Sequence, residues 1–407
     1  MTGLESSAAT TDERAERENG SLTEIFRVFL VLGLTSFGGP IAHLGYFERE
    51  LVRRRGWLDA GTYAEIVALC QMLPGPASSQ VGMAIGHRRG GPLGSISAWL
   101  GFTLPSAIAM MLFAYLVDRV GDVAEAGWLH GLKIVAVAIV AQAVWSMGVK
   151  LAPDRERATL AIGAAVLLLL WSTVAAQLLL ILAGGVVGWA LFGRGGGELP
   201  TVSGSIRRSA GARFALASLG AFAALMILLP VLADRIGGWP LRLFDLFFRA
   251  GSLVFGGGHV VLPLLQAEIV PDWMTNDQFL AGYGGAQAVP GPLFTFSAYL
   301  GTVAEGALGA AVALVAIFLP SFLLVWGAMP FWDALRRRTG LQGALRGINA
   351  VVVGILLAAL YDPIWTSAIT APKDLALALV GFGLLMFWKA PSWVVVAIAL
   401  VAGALFL

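Results

Sequence analysis

The residues best placed to do chemistry sit in a phrase that occurs twice, Gln71-Met72-Leu73-Pro74-Gly75-Pro76 and Gln287-Ala288-Val289-Pro290-Gly291-Pro292. Pro76 and Pro292 each stand where a helix would restart, and proline suits a first helical position because its missing N–H would be unpaired there anyway. The residues that follow, Ala77, Ser78 and Ser79 with Gln80 beyond, and Leu293, Phe294 and Thr295 with Ser297 beyond, would present free backbone N–H groups. Such an end carries about half a positive charge and is ready to receive an anion. Two of them approaching from opposite sides of a membrane would cradle an oxyanion. The competing structural role is a kink in a long packed helix, with nearby polar groups satisfying the freed carbonyls.

Other candidates flank the phrase. Gly38 and Gly39, with Pro40, and Gly256, Gly257 and Gly258 permit an unwound turn, and His43 and His259 lie just beyond them. A histidine here could donate to an anion or titrate, or simply bond a carbonyl. Gln71 and Gln287 precede the two breaks as uncharged double-ended partners. Lys133, with Asn349 at its repeat position, could bring positive charge to an anion or snorkel to the surface. Glu65 reads as an ordinary residue near a helix start, and Arg49 to Arg55 as a positive anchor.

These residues need a membrane around them. The chain has 407 residues, is 58% hydrophobic and only 13% charged, with mean hydropathy +0.80, whereas soluble chains are nearer a quarter charged. Runs such as 158–171, 178–192, 214–232 and 393–407 are nearly free of charge and cross, or almost cross, a bilayer core of about 30 Å. An all-α polytopic integral membrane protein is expected, since a β-barrel would show short alternating segments. Residues 1–21 are polar and lack an apolar signal core, so they read as a disordered cytoplasmic tail. Cys70 is the single cysteine and the four histidines are scattered, so no metal site is expected. Without a Gly-x-x-x-x-Gly-Lys-Ser/Thr loop no nucleotide cofactor is expected. With no Cys/His pair and no His-Glu-x-x-His, the chain does not read as an enzyme.

The two phrases belong to a longer internal repeat. Phe37-Gly38-Gly39-Pro40 aligns with Phe255-Gly256-Gly257-Gly258, Glu50 with Glu268, Trp57 with Trp273, Gly86, Gly91 and Gly94 with Gly301, Gly306 and Gly309, Leu104-Pro105-Ser106 with Leu319-Pro320-Ser321, and Gly131 with Gly347. The chain divides into repeats at 22–193 and 240–407, joined by a linker at 194–239 that carries an extra span at about 213–233. Arginine-rich loops (Arg49 to Arg55, Arg88-Arg89, Arg155 and Arg157, Arg336 to Arg338) alternate with poor ones, as the positive-inside rule requires. The extra span inverts the second repeat, and the loop 268–278, which has no lysine or arginine, is the opposite of its counterpart at Arg49 to Arg55. Segments 25–45 and 62–88, with their mates 241–262 and 276–302, either cross or re-enter; re-entry gives about nine full spans and crossing about thirteen. Inverted repeats with broken helices are a recurring transporter architecture.

Phe37-Gly38-Gly39-Pro40-Ile41-Ala42-His43, the Gln-Met-Leu-Pro-Gly-Pro phrase and Phe255-Gly256-Gly257-Gly258 together resemble the chromate ion transporter family in its long, two-domain form. The resemblance runs from about residue 22 to the end. It implies antiparallel halves, efflux of chromate across the bacterial inner membrane driven by the membrane potential or proton gradient, and sulfate as competitor or alternative substrate. It also implies site roles for Phe37, Gly38, Gly39, Pro40, His43, Pro74, Gly75, Pro76, Gly256, Gly257, Gly258, Pro290, Gly291 and Pro292. The expected partners are a chromate- or sulfate-like oxyanion and the lipid bilayer, with no nucleic acid; a homodimer stays open. The N-terminus is expected in the cytoplasm and the C-terminus in the periplasm. An uncoupled anion channel or a sulfate-type carrier with the same fold is the alternative.

Overall fold

The structure is a computed structural model that describes residues 20–120, 126–193, 211–255 and 258–406. The expected tail up to residue 19, the linker stretch 194–210, and Gly256 and Gly257 lie outside the described residues. Among the described residues every regular element is helical.

The first repeat opens with two short hairpins. Helix α1 (Leu22–Thr35) starts on the Ser21 side chain, which accepts from the Glu24 N–H. It ends at the cap Ser36, the chain turns at Gly38, whose φ of +100° a side chain would resist, and α2 (Gly39–Phe47) then runs on as a π-helix over Glu48–Arg54. Helix α3 (Ala60–Met72) is capped by Asp59. The backbone N–H and hydroxyl of Thr62 hold that carboxyl below the usual carboxylate range. The chain breaks again at Pro74-Gly75-Pro76, and α4 (Ala77–Val120) follows. Helix α4 reverses at Gly90-Gly91, where φ at Gly91 is +61°. The reversal is complete: Ser95 Oγ donates to the Met83 carbonyl at 2.6 Å, and a Cβ on Gly86 would overlap the carbonyl of Gly94. A straight helix would hold those two glycines about 12 Å apart.

Both segments of the first repeat return to the face they left. The Arg89 guanidinium lies 4.3 Å from the Trp57 ring and 3.6 Å from Glu24, so the start of α1, the end of the π-helix and the end of arm 77–89 all meet. Each limb has 13 to 16 residues, about 20–24 Å of helix, too short for a 30 Å core. They re-enter; they do not cross. Arm 92–120 then crosses, followed by α5 (Gly127–Leu151), α6 (Arg155–Leu170) and α7 (Val174–Phe192).

Helix α8 (Ala212–Ile236) carries the chain to the opposite face. There α9 (Trp239–Leu253), a single turn at Gly258–Val260 and α10 (Val261–Ile269) repeat the first hairpin. Helix α11 (Asn276–Ala286), the Pro290-Gly291-Pro292 break and α12 (Phe296–Ala328) repeat the second, with Tyr299 Oη donating to the Gln278 carbonyl across its limbs. Helix α12 reverses at Glu305-Gly306, and a Cβ on Gly301 would meet the Gly309 carbonyl just as Gly86 meets Gly94. Arm 307–328 leads to α13 (Trp332–Leu335), where Arg336 bonds Glu65 on the arginine-rich face at 2.6 Å. Arm 92–120 starts on that face, so its repeat mate runs the other way and the second half is inverted.

Helix α14 (Thr339–Ala359), α15 (Pro372–Met386) and α16 (Ser392–Phe406) complete the fold. Among the described residues six helices are long and apolar enough to cross a membrane. Helices α6, α15 and α16 fall short at 16, 15 and 15 residues. The α15–α16 tip instead reaches the level of the breaks, where Ser392 Oγ donates to the Gln287 carbonyl at 3.1 Å and Trp393 lies 6.1 Å from Phe37.

The halves are tied by reciprocal seams. Gly131 in α5 packs against Ala399 and Gly403 in α16, while its repeat mate Gly347 in α14 packs against Gly184 and Gly188 in α7. Swapped contacts of this kind are what a two-fold axis produces.

With Cys70 replaced by alanine, cysteines at Arg54 and Gly90 should react with an impermeant maleimide from one side of the membrane and a cysteine at Glu305 from the other. Same-side labelling of Arg54 and Glu305 would contradict the inverted arrangement.

Candidate functional site

At the two-fold axis each break is completed by the other repeat. The Gly75 N–H donates to the Val254 carbonyl at 2.7 Å, and the Gly291 N–H donates to the Ser36 carbonyl at 2.9 Å. Val254 and Ser36 are the residues that end the first helices of their repeats, so the two bonds are two-fold mates. The glycines are required twice over. Their φ values are +121° and +95°, and a Cβ would stand 2.6 Å from Ser321 Oγ at Gly75 and 2.8 Å from Ser106 Oγ at Gly291. Those serines close the repeated Leu-Pro-Ser motif, again each from the opposite half.

Around this crossing the polar side chains are buried and partly unpaired. Gln80 Nε2 donates to the Pro74 carbonyl at 2.6 Å and to Ser321 Oγ at 3.3 Å. His43, 1% exposed, meets Ser78 Oγ through Nδ1 at 3.2 Å and stands edge-on to Phe102. The Oγ atoms of Ser36, Ser79 and Ser297, His43 Nε2, Gln80 Oε1 and Gln287 Nε2 are buried without a partner. Buried polar groups are normally paired, and each one left bare costs free energy. Most of these can donate, so an oxyanion would satisfy several at once.

The residues singled out from sequence fall into groups. Gly38, Gly39, Pro40 and His43 build the first break, and Pro74, Gly75, Pro76, Ser78, Ser79 and Gln80 the second. Gly258 lies against Leu293, so the glycine turn of the second half abuts its Pro290-Gly291-Pro292 helix start. Thr295 Oγ1 donates to the Pro292 carbonyl at 2.8 Å, at that helix start. Gln287 is half-buried at the site, whereas Gln71 is exposed. His259 is engaged away from the other breaks by Tyr283 Oη at 2.6 Å. Lys133 is placed differently from the expected anion partner: it pairs with Asp277 at the start of α11, 2.9 Å away. Asn349 lies in α14 beside the Gly347 seam. A cavity of 390 Å³, lined in part by Gln177, Gln266, Asn276 and Asp362, lies toward the outer ends of α10 and α11, apart from the breaks.

Sequence reasoning missed Ser36, Ser106 and Ser321, whereas Ser297 stood already beyond the second helix start. The Leu-Pro-Ser pair had already been aligned, and its serines were the available signal. It also missed Asp245 and Arg249, four residues apart in an apolar segment.

The chromate transporter family model matches residues 23–189 and 241–404, one region in each repeat. The chain belongs to the chromate transporter family. It is therefore a membrane transporter and not an enzyme. Curated relatives include the chromate transport protein of Pseudomonas aeruginosa, 30% identical over 93% of this chain and 90% of that one. The probable chromate transport protein of Synechococcus elongatus is 27% identical over 95% and 96%, and the chromate transport protein of Cupriavidus metallidurans 27% over 91% and 89%. No solved structure matches the chain.

In this transporter Gly75→Ala and Gly291→Ala should each lower transport about tenfold or more, since the left-handed backbone alone costs an alanine about 1–2 kcal/mol. Membrane insertion, followed by protease protection, should be unchanged. Lys133→Asp combined with Asp277→Lys should retain transport, because the pair is structural; loss of transport with normal insertion would return Lys133 to the anion site.

Proposed function

We propose that the protein is a secondary transporter that exports chromate, or a closely related tetrahedral oxyanion such as sulfate, from the cytoplasm. The observation that carries this reading is the pair of Pro-Gly-Pro helix starts held at the two-fold axis among buried donors without partners. Helix N-termini and neutral hydroxyl and amide groups bind an oxyanion without a cationic side chain. Binding at the two-fold between inverted repeats is how broken-helix transporters reach a site from either face. Family membership and the names of the relatives supply chromate as the anion.

On this reading the face with Arg53, Arg54, Arg55, Arg88 and Arg89 is cytoplasmic by the positive-inside rule. The N-terminus is then cytoplasmic and the C-terminus periplasmic. Opening toward either side requires one of the two cross-repeat bonds to part. An uncoupled channel would need both to part at once, which favours a carrier.

Everted membrane vesicles containing the protein should accumulate radiolabelled chromate above its external concentration when energised, and unlabelled sulfate should compete. Mere equilibration would indicate a channel, and no uptake above vesicles lacking the protein would remove the assignment.

A further inference from the structure

A charged group apart from the helix breaks lies in the second half, with Asp245 buried and Arg249 and Glu268 half-buried. Arg249 on α9 donates to Asp245 one turn earlier through Nε at 3.0 Å and to Glu268 on α10 through Nη1 at 2.8 Å and Nη2 at 3.3 Å. Among the described residues these three form one ion-pair group, and α8 and α12, which also pack on α9, add no ion pair to it. Asp245 and Arg249 lie six and ten residues into α9, about 9 and 15 Å along the helix from its outer end. Leu246, Leu253, Leu264, Val174 and Leu178 lie beside Arg249 and Glu268.

The charges do not balance. Two carboxylates share one guanidinium, leaving a net negative charge where charge is expensive. Asp245 side-chain exposure is 7%, and its Oδ1 is buried without any donor. A single proton on the group restores neutrality. Beside Arg249 and Glu268 there is a void of 10 Å³, about the room of one water molecule. Repeat alignment makes the group one-sided: Asp245, Arg249 and Glu268 correspond to Arg27, Val31 and Glu50, and Glu50 bonds Arg54 and Arg55. It therefore exists only on the half that opens to the face opposite the arginines.

We propose that the Asp245–Arg249–Glu268 group is the proton-binding site of the transporter, taking up one proton from the face opposite the arginines in exchange for the exported anion. Asp245 accepts the proton as its carboxylate becomes a carboxyl group, and gives it up when α9 moves. The link to the anion site is short, since α9 ends at Val254, whose carbonyl holds the Gly75 N–H. A change of charge that shifts α9 thus alters the bond that closes the Pro74-Gly75-Pro76 break. This inference rests on the transport reading above.

The full-length protein, reconstituted into liposomes with a trapped pH-sensitive dye, gives two readouts: chromate–chromate counterflow without a gradient, and proton movement accompanying net chromate flux. The native protein should show both. Asp245→Asn and Glu268→Gln should lower proton movement about tenfold relative to counterflow, and Asp245→Glu should restore it. Net chromate flux by the native protein without proton movement overturns the proposal, as does proton movement preserved in both amide variants. Should Asp245→Asn fail to insert, Glu268→Gln and the native protein still decide. Absence of counterflow in the native protein instead removes the transport reading, and this inference with it.

Discussion

A broken helix inside a bilayer exposes backbone groups that no lipid can satisfy, and each group left bare costs several kcal/mol. Most features of this fold follow from that constraint. Neither glycine N–H is completed within its own repeat, because Gly75 and Gly291 lie in the breaks, past the ends of the helices before them. The acceptors come from the ends of the other repeat's first helix, at Val254 and Ser36. Duplication is thus a physical condition for the breaks to exist, since a lone repeat would carry a buried donor and a buried acceptor without partners.

The same reciprocity governs the outer helices. Lipid tails are as apolar as leucine, so helices associate there through close packing at small residues and not by escaping water. Gly131 lets α5 approach α16, and Gly347 lets α14 approach α7, each seam joining one repeat to the other. The repeats therefore hold each other's outer helices. Rocking one whole repeat against the other would open both seams at once. Movement confined to the re-entrant hairpins keeps the seams, and the positive-φ glycines at their tips are where backbone can turn most cheaply.

Much of this was legible in the sequence because it rests on local chemistry. Pro-Gly-Pro breaks a helix wherever it stands, alternating arginines set the faces, and the repeat of Gly86, Gly94 and Leu-Pro-Ser could be aligned by eye. What the sequence concealed depends on long-range pairing. Nothing near Lys133 points to Asp277, 144 residues later, and an isolated lysine in an apolar run looks available to an anion. The re-entrant course of α1 to α3 needed the meeting of Arg89, Trp57 and Glu24, whereas hydropathy alone cannot tell a dip from a crossing. Helices α15 and α16 are apolar enough to read as spans, and only their lengths and the Ser392 contact show that their tip stops at the breaks.

The inverted repeats are nevertheless not equivalent, and the difference lies in how their second hairpins are anchored. Helices α3 and α11 are repeat mates, and each is bound to the opposite half by a carboxylate. On the arginine-rich face Glu65, 4% exposed, accepts from Arg336 and from the Trp332 indole. On the other face Asp277, 31% exposed, meets only the Lys133 ammonium among the described residues. Removing one partner of a buried ion pair costs about 3–5 kcal/mol, and far less where water can reach the carboxylate left behind. Parting α3 from α13 strands the Glu65 carboxylate in a dry site, and parting α11 from α5 strands the Lys133 ammonium, 5% exposed, in another. Each face is therefore locked by one dry charge, an anion on the arginine-rich side and a cation on the other, so the two repeats match in anchoring strength while reversing its sign.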